Sequence, residues 1–408
     1  MKIAQIAPPW IAIPPKHYGG TEVVLYNLIE EQVAQGHDVT LFAPGDAKTS
    51  AKLVSFFPRS LLETGVPWPA HLKAYYHLYK SLEQAKEFDI IHTHLSSGSD
   101  MYIFPLLAHL ATPHVTTLHS RFPFDRVQHW LGDADAYYME WAPALPMVAI
   151  SESARAEVQH PLNFVGVIHN GITMPKVVRQ SAQKKNDYFV WLGRIVSDKG
   201  THLAIEAAKR AGVPLVLAGT IDRHMPESVQ YFQEMIKPYI DDDQIKYIGP
   251  VNMRQKVSLL SGARGFLNPI EWEEPFGMVM IEAMAVGCPV ISFARGAAPE
   301  LIIHRKTGFL VHDVDEMVRF IPRIHEIDRE VTRAHVEHNF SARVMAAKYL
   351  KVYTKVIAMS KGVPGRVFPE RSTKPAVTPP VAALVKTNVP AQAPYQLAAA
   401  AKEAGPKS

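Results

Sequence analysis

Short apolar segments of strand character alternate with helical periodicities along this 408-residue chain, and the series runs through twice. Residues 2–7 read as a strand. Val23, Val24, Leu25, Leu28, Ile29 and Val33 form one stripe of a helix ending near Gly36, and residues 38–43 read as the next strand, stopped by Pro44-Gly45. That opening is a βαβ unit. A helix-like stretch over 71–86, a strand over 89–92, a helix over 99–110 and strands over 115–118, 146–150 and 165–168 continue it. After Asn170-Gly171 and a polar, basic stretch, strands are expected at 188–192, 215–218, 245–247, 265–267, 290–293 and 308–311. Helices are expected at 201–211, 227–240, 253–261 and 278–286, and a final amphipathic helix over 342–359. Such alternation predicts parallel sheets covered on both faces. A chain of this length exceeds one ordinary core, so the expected class is α/β with two domains.

Composition removes several function classes. Hydrophobic residues make up 47% and charged residues 20%, which suits a globular protein. One cysteine, Cys288, excludes an internal disulfide framework and suits a reducing compartment, so a cytoplasmic location is expected. Set between Gly287 and Pro289, it reads as core filler rather than nucleophile. No apolar run approaches the roughly 20 residues of a bilayer span, and residues 1–10 read as a first strand rather than a signal peptide. The net charge of +4 is carried by residues 362–408, with Arg366, Arg371, Lys374, Lys386, Lys402 and Lys407 against Glu370 and Glu403. The body is therefore neutral overall, which gives no support to nucleic-acid binding. The Pro/Ala-rich tail is expected to be disordered, and weak contact of the tail or the N-terminal domain with a membrane surface is left open.

In open α/β sheets, ligands bind beyond the carboxyl ends of the strands, and the chemistry-bearing residues cluster there. Residues 268–290 place Glu271, Glu273 and Glu274 before Pro275-Phe276-Gly277-Met278, and Glu282 inside the apolar helix that follows. A carboxylate ringed by apolar residues needs a partner. The alternative is a surface loop and one solvated Glu. The helix start at Gly277 offers free N–H groups and the positive end of a macrodipole to an anion. Arg194 and Lys199, five residues apart in Gly193-Arg194…Lys199-Gly200, suit a diphosphate, the one as a fork and the other as a point charge; the alternative is a solvated basic loop. Tyr18-Gly19-Gly20-Thr21-Glu22 reads as close backbone approach at a helix start, or as a plain tight turn. His119 stands at a strand end facing the predicted cleft, as a functional or merely satisfied histidine. His92 and His94 alternate near a strand, but no third ligand has recognisable spacing and no metal is expected. No Gly-x-Gly-x-x-Gly run follows any strand, which disfavours a dinucleotide site.

Glu274 and Glu282, with seven residues between them and Phe276-Gly277 inside, resemble the Glu-x7-Glu signature of retaining glycosyltransferases of family 4. Gly193-Arg194 with Lys199-Gly200, Gly19-Gly20, His119 and Asn170-Gly171 are similar to further family motifs, in the same order. The opening KIAQIAPP…YGGTE also resembles a bacterial subgroup that includes pterin glucosyltransferases. The resemblance implies a GT-B fold, two facing Rossmann-like domains with a cleft between them. It implies an acceptor-binding domain over 1–172, a hinge over 173–186, a nucleotide-sugar-binding domain over 187–335, a helix crossing back over 336–360 and the tail over 361–408. The implied activity is metal-independent, retaining hexosyl transfer from a nucleotide-diphosphate sugar, of UDP-glucose type, to an unknown acceptor (a sugar, a lipid-linked sugar or a small molecule), with no cofactor. The implied catalytic residues are His119, Arg194, Lys199 and Glu274. The implied donor-binding residues are Gly20, Arg194, Lys199, Val251, Glu274, Phe276, Gly277, Met278 and Glu282, with Glu282 on the ribose, Glu274 on the sugar and Glu273 the competing register. The other readings are a nucleotide-sugar epimerase or hydrolase on the same fold, and a non-catalytic sugar-nucleotide-binding module.

Overall fold

The computed structural model describes residues 1–16, 19–66, 71–120, 122, 137–175, 187–222 and 225–361. Tyr18, the expected hinge from residue 176 on and the expected tail from residue 362 on lie outside the described residues.

Two parallel sheets are present. The first contains β1 (Lys2–Ile6), β2 (Asp38–Phe42), β3 (Lys52–Val54), β4 (Ile90–Leu95), β5 (His114–Leu118), β6 (Met147–Ala149) and β7 (Phe164–Val167), in the order β3-β2-β1-β4-β5-β6-β7. The second contains β8 (Phe189–Arg194), β9 (Leu215–Thr220), β10 (Ile245–Tyr247), β11 (Gly265–Asn268), β12 (Val290–Phe293) and β13 (Gly308–Val311), in the order β10-β9-β8-β11-β12-β13. Both are doubly wound, and in each the strand order reverses beside the first strand, between β1 and β4 and between β8 and β11. Loops leaving such a neighbouring pair diverge to opposite faces and open a crevice at the carboxyl edge. Two Rossmann-like α/β domains, consistent with a GT-B fold, are thus shown.

Alternation sorts each strand's side chains onto two helical layers. Ile3 packs with Val24, Leu25 and Leu28 of the helix Gly20–Ala34 on one face, whereas Ala4 and Ile6 face Leu78, Phe104 and Leu118 on the other. The terminal helix Ala342–Lys361 joins the first of these layers. Its Met345, Tyr349, Tyr353 and Val356 are buried in the same cluster as Ile3 and Val24.

Local departures from the periodicity have local causes. β3 has only three residues at a sheet edge, too few for a period to register. The helix expected over 227–240 is α-helical over Pro226–Tyr231, passes through a π turn at Phe232–Ile236 and ends as a 3-10 turn at Lys237–Tyr239. Pro238 has no N–H to continue the ladder. The helix expected over 99–110 divides into a 3-10 turn, Gly98–Tyr102, started by a Ser97–Asp100 capping box, and the helix Ile103–Leu107.

Candidate functional site

β8 and β11 pair directly, so the loops after Arg194 and Asn268 open side by side. The first makes a 3-10 turn, Ser197–Lys199, and Gly200 follows at φ 66°, opening the helix Thr201–Ala211. A Cβ on Gly200 would lie 1.8 Å from the carbonyl oxygen of Pro269, so only glycine lets the two loops touch. Trp191 Nε1 donates to the carbonyl of Lys199 at 3.1 Å, and the Glu271 N–H donates to that of Asp198 at 2.9 Å. The backbone carrying Lys199 is therefore fixed from both sides.

The side chains converge above it. Lys199 Nζ is ion-paired with the Glu274 carboxylate and lies 4.9 Å from the centre of the Trp272 ring, within reach of a cation–π attraction. Trp272 Nε1 donates to the same carboxylate at 3.1 Å. Trp191, Arg194, Lys199, Asn268, Glu274 and Gly277 line one pocket. Gly277, at φ 87°, starts the helix Met278–Ala285, and a Cβ there would strike Met280 Cε at 2.3 Å. The first turn of a helix leaves N–H groups without intrahelical partners. The pocket therefore combines two cations, a helix start and a carboxylate.

The three neighbouring acids have separate jobs. Glu273 accepts from Arg295 Nε at 3.1 Å and from the Gly296 N–H at 2.6 Å. Glu271 lies 3.6 Å from His202. Glu274, not Glu273, lines the pocket. Glu282 is 12% exposed and pairs with Lys256 at 2.5 Å. Lys256 lies on the helix Met253–Gly262, which opens on an Asn252–Gln255 capping box directly after Val251. Phe276 turns its ring into the core, 5.9 Å from that of His169 and 6.4 Å from that of Phe340, so its backbone is what it offers the site. Met278 packs against the cores of both halves.

Gly20 begins the helix Gly20–Ala34, whose first turn holds the buried Glu22. Burial and the nearby charge of Asp100 push the Glu22 carboxyl up to about 7, against a hydrogen bond from its own backbone. His119 follows β5, and its N–H donates to the Leu95 carbonyl at 2.8 Å. Its Nε2 is 2.9 Å from His94 Nδ1, and burial holds its pKa well below the ordinary imidazole range. The structure thus brings Arg194, Lys199, Glu274 and Gly277 together in one pocket. It leaves Val251 and Glu282 beside the helix Met253–Gly262, Gly20 at the start of the helix Gly20–Ala34 and His119 just after β5. Among the described residues, no group of three or more His, Cys, Asp or Glu converges as a metal ligand set, and no helix is long and apolar enough to cross a membrane.

Sequence reasoning missed Trp191, Asn268, Trp272 and Lys256. Asn268 could have been found as the polar residue closing a strand. Lys256 meets Glu282 only through helix packing, and no spacing signals it.

The two halves are also tied together. Glu300, on the helix Ala298–Leu301 of the second half, accepts from the N–H groups of Glu152 at 2.9 Å and Ser153 at 2.8 Å, and from His169 Nε2 at 2.8 Å. Ser151 Oγ donates to the Pro275 carbonyl at 2.6 Å. The chain segment before Phe276 is thereby joined to the first half.

Two family models match, end to end. One described as Glycosyltransferase Family 4 matches residues 18–174, and one described as Glycosyl transferases group 1 matches residues 175–334. The chain is 34% identical over 155 residues to the α-1,3/1,6-mannosyltransferase of Mus musculus, a match covering 36% of this chain and 37% of that protein. It is 24% identical over 343 residues to an uncharacterized glycosyltransferase of Methanocaldococcus jannaschii, covering 76% of this chain and 85% of that protein. The matches span from about a third to half of the length of the first curated relatives. Among solved structures, an Anabaena protein crystallised in complex with UDP superposes with a TM-score of 0.63 at 20% identity, over 87% of this chain and 100% of that one. That likeness is one of fold.

Proposed function

We propose that this chain, related through both its halves to the GT-B-fold glycosyltransferases of group 1 and family 4, moves a hexose from a nucleotide-diphosphate sugar to an acceptor hydroxyl with retention of configuration. The observation that carries the reading is the pocket between β8 and β11, where Arg194 and Lys199 stand beside the Gly277 helix start and the Glu274 carboxylate. Charge develops on the diphosphate as the bond to the sugar breaks. Preorganised cations and N–H groups aimed at that charge are a large source of rate acceleration.

In this reading the diphosphate sits against Arg194, Lys199 and the N–H groups after Gly277, with the Gly20 backbone approaching it from a helix start of the first half. Glu274 accepts hydroxyls of the hexose, while the Phe276-Gly277-Met278 backbone supports it. Glu282 accepts the ribose hydroxyls, and backbone near Val251 meets the base. His119 accepts from a substrate sugar hydroxyl. The acceptor hydroxyl attacks the anomeric carbon on the face from which the diphosphate leaves. The old C–O bond breaks, the new one forms on the same side, and the acceptor's proton passes to a departing phosphate oxygen. Arg194 and Lys199 supply the cationic charge. UDP-glucose is the proposed donor type and the cytoplasm the proposed compartment, which suits the buried thiol of Cys288.

The test is a panel of UDP-, GDP- and ADP-sugars scored for nucleoside diphosphate release with candidate acceptors. Acceptor-dependent release is expected for one donor class, with Arg194→Ala and Glu282→Ala weakening donor binding. Free sugar or an epimer as the main product would replace transfer with hydrolysis or epimerisation. Unaltered donor affinity in both variants would remove the site assignment.

A further inference from the structure

Beneath His119, buried polar side chains of the first sheet form a connected network with the terminal helix. Gln5, Gln32, His92, Thr117, Tyr349 and Tyr353 are fully buried, and His94 is 3% exposed. Each polar atom removed from water here needs a partner, and satisfying all of them fixes the direction of every bond.

The directions follow from a donor and acceptor inventory. Tyr353 Oη lies 3.1 Å from Gln5 Nε2, 3.1 Å from Gln32 Nε2 and 2.7 Å from His92 Nδ1. Its oxygen accepts from both amides, so its single proton goes to His92 Nδ1. Burial holds both tyrosine hydroxyls above their ordinary range, and so protonated. His92 Nε2 then carries a proton and donates to Thr117 Oγ1 at 2.7 Å. Gln5 gives its second amide proton to Gln32 Oε1 at 2.9 Å. Its own Oε1 therefore accepts from His94 Nε2 at 2.8 Å. A neutral His94 that donates from Nε2 presents a lone pair at Nδ1, and His119 Nε2 is 2.9 Å from that nitrogen.

We infer that Gln5 and His94 are positioning residues for His119, holding it as the Nε2–H tautomer so that Nδ1 is the nitrogen that accepts from a substrate hydroxyl. His119 Nδ1 makes no hydrogen bond among the described residues. The backbone N–H of His119 donates to the Leu95 carbonyl and its ring Nε2 meets His94, so the residue is held at its backbone and at one ring nitrogen. The same network reaches Tyr353 on the terminal helix, so the seating of that helix sets the polarity of His119. The inference rests on the proposed function only for the word substrate; the tautomer is a property of the chain.

Nitrogen-15 spectra of histidine side chains report the tautomer directly, and the His119→Ala spectrum assigns the signals in the full chain. In the wild type, Nε2–H is expected for both His94 and His119. His94→Leu removes the acceptor and is expected to turn His119 into a mixture of tautomers. Gln5→Leu is expected to release the tautomer of His94, and Gln5→Glu, which keeps an acceptor oxygen, to restore it. An Nδ1–H signal for His119 in the wild type overturns the inference, as does an unchanged His119 signal in a folded His94→Leu. If His94→Leu does not fold, the wild-type signal and the Gln5 pair decide. In the donor panel, His94→Leu is expected to lower turnover by up to about 10-fold, the scale of one misdirected hydrogen bond to the substrate. Full turnover in His119→Ala would remove His119 from the proposed function and leave the tautomer standing.

Discussion

Lys199 and Glu274 neutralise each other inside the pocket, their side chains 18% and 15% exposed. In the proposed function an entering diphosphate competes with Glu274 for the ammonium, and the carboxylate so released accepts from the sugar. The two members of the pair therefore affect binding with opposite signs. Lys199→Met is expected to lower kcat/KM by roughly 10²–10³, the cost of losing one charge-stabilising donor. Glu274→Gln is expected to bind UDP alone about 2- to 5-fold tighter, the scale of a partly screened ion pair, while transfer falls. Steady-state kinetics reads the loss of turnover and titration calorimetry with UDP reads the binding, and weaker UDP binding in Glu274→Gln would sink the competition.

Glu273 and Glu274 are neighbours with different work. Glu273 pins the loop through Arg295 and the Gly296 N–H, whereas Glu274 faces the pocket. Glu273→Ala is expected to cost about 1 kcal/mol of stability, the low end for a half-exposed pair and one backbone bond, with the donor KM unaltered. Glu274→Ala, which also gives up the bonds to Lys199 and Trp272, is expected to lose turnover. Denaturant melts and steady-state kinetics on the two variants decide the register, and the reverse pattern would move the sugar contact to Glu273.

The two sheets were legible because a doubly wound strand is buried on both faces and leaves a short apolar run closed by a loop. The pocket lining was legible where motif residues follow neighbouring strands, as in Arg194, Lys199, Glu274 and Gly277. What stayed hidden depends on contacts between distant elements. Lys256 meets Glu282 across 26 positions, and Trp272 does double duty on Lys199 and Glu274 by ring placement alone. His92 and His94 alternate near a strand, and nothing in that spacing names their partners. Their partners are Tyr353, 261 positions away from His92, and Gln5, 89 positions away from His94.

Glu300 gives the contact between the halves a pH dependence. Burial alone would raise its carboxyl, but the bonds from His169, Ser153 and Glu152 outweigh burial and hold it below the ordinary value of 4.5. A depressed acid stabilises the fold fully above its unfolded pKa, and that stabilisation is lost as pH falls through the folded value. Wild type is therefore expected to lose this contribution below about pH 4.5. Glu300→Gln should lack that part of the slope and be less stable at pH 7 by about 1–3 kcal/mol. Denaturant midpoints from pH 3 to pH 7 test this, and parallel curves for the two proteins would refute it.

Tyr353 carries more of the buried network than Tyr349, although both lie on the terminal helix and both are fully buried. Removing the Tyr353 hydroxyl strips an acceptor from Gln5 Nε2 and Gln32 Nε2 and a donor from His92 Nδ1. None of these atoms can reach water without opening the helix. Removing the Tyr349 hydroxyl affects only Thr117, which keeps its bond to His92. A buried polar group left without a partner costs about 1–3 kcal/mol. Tyr353→Phe is thus expected to destabilise by at least that much and Tyr349→Phe by about 1 kcal/mol or less. The apolar contacts of both rings are conserved in the phenylalanines, so the difference isolates the hydroxyls. Urea denaturation at constant m-value measures it, and equal losses would show that Tyr353 is not the hub of the network.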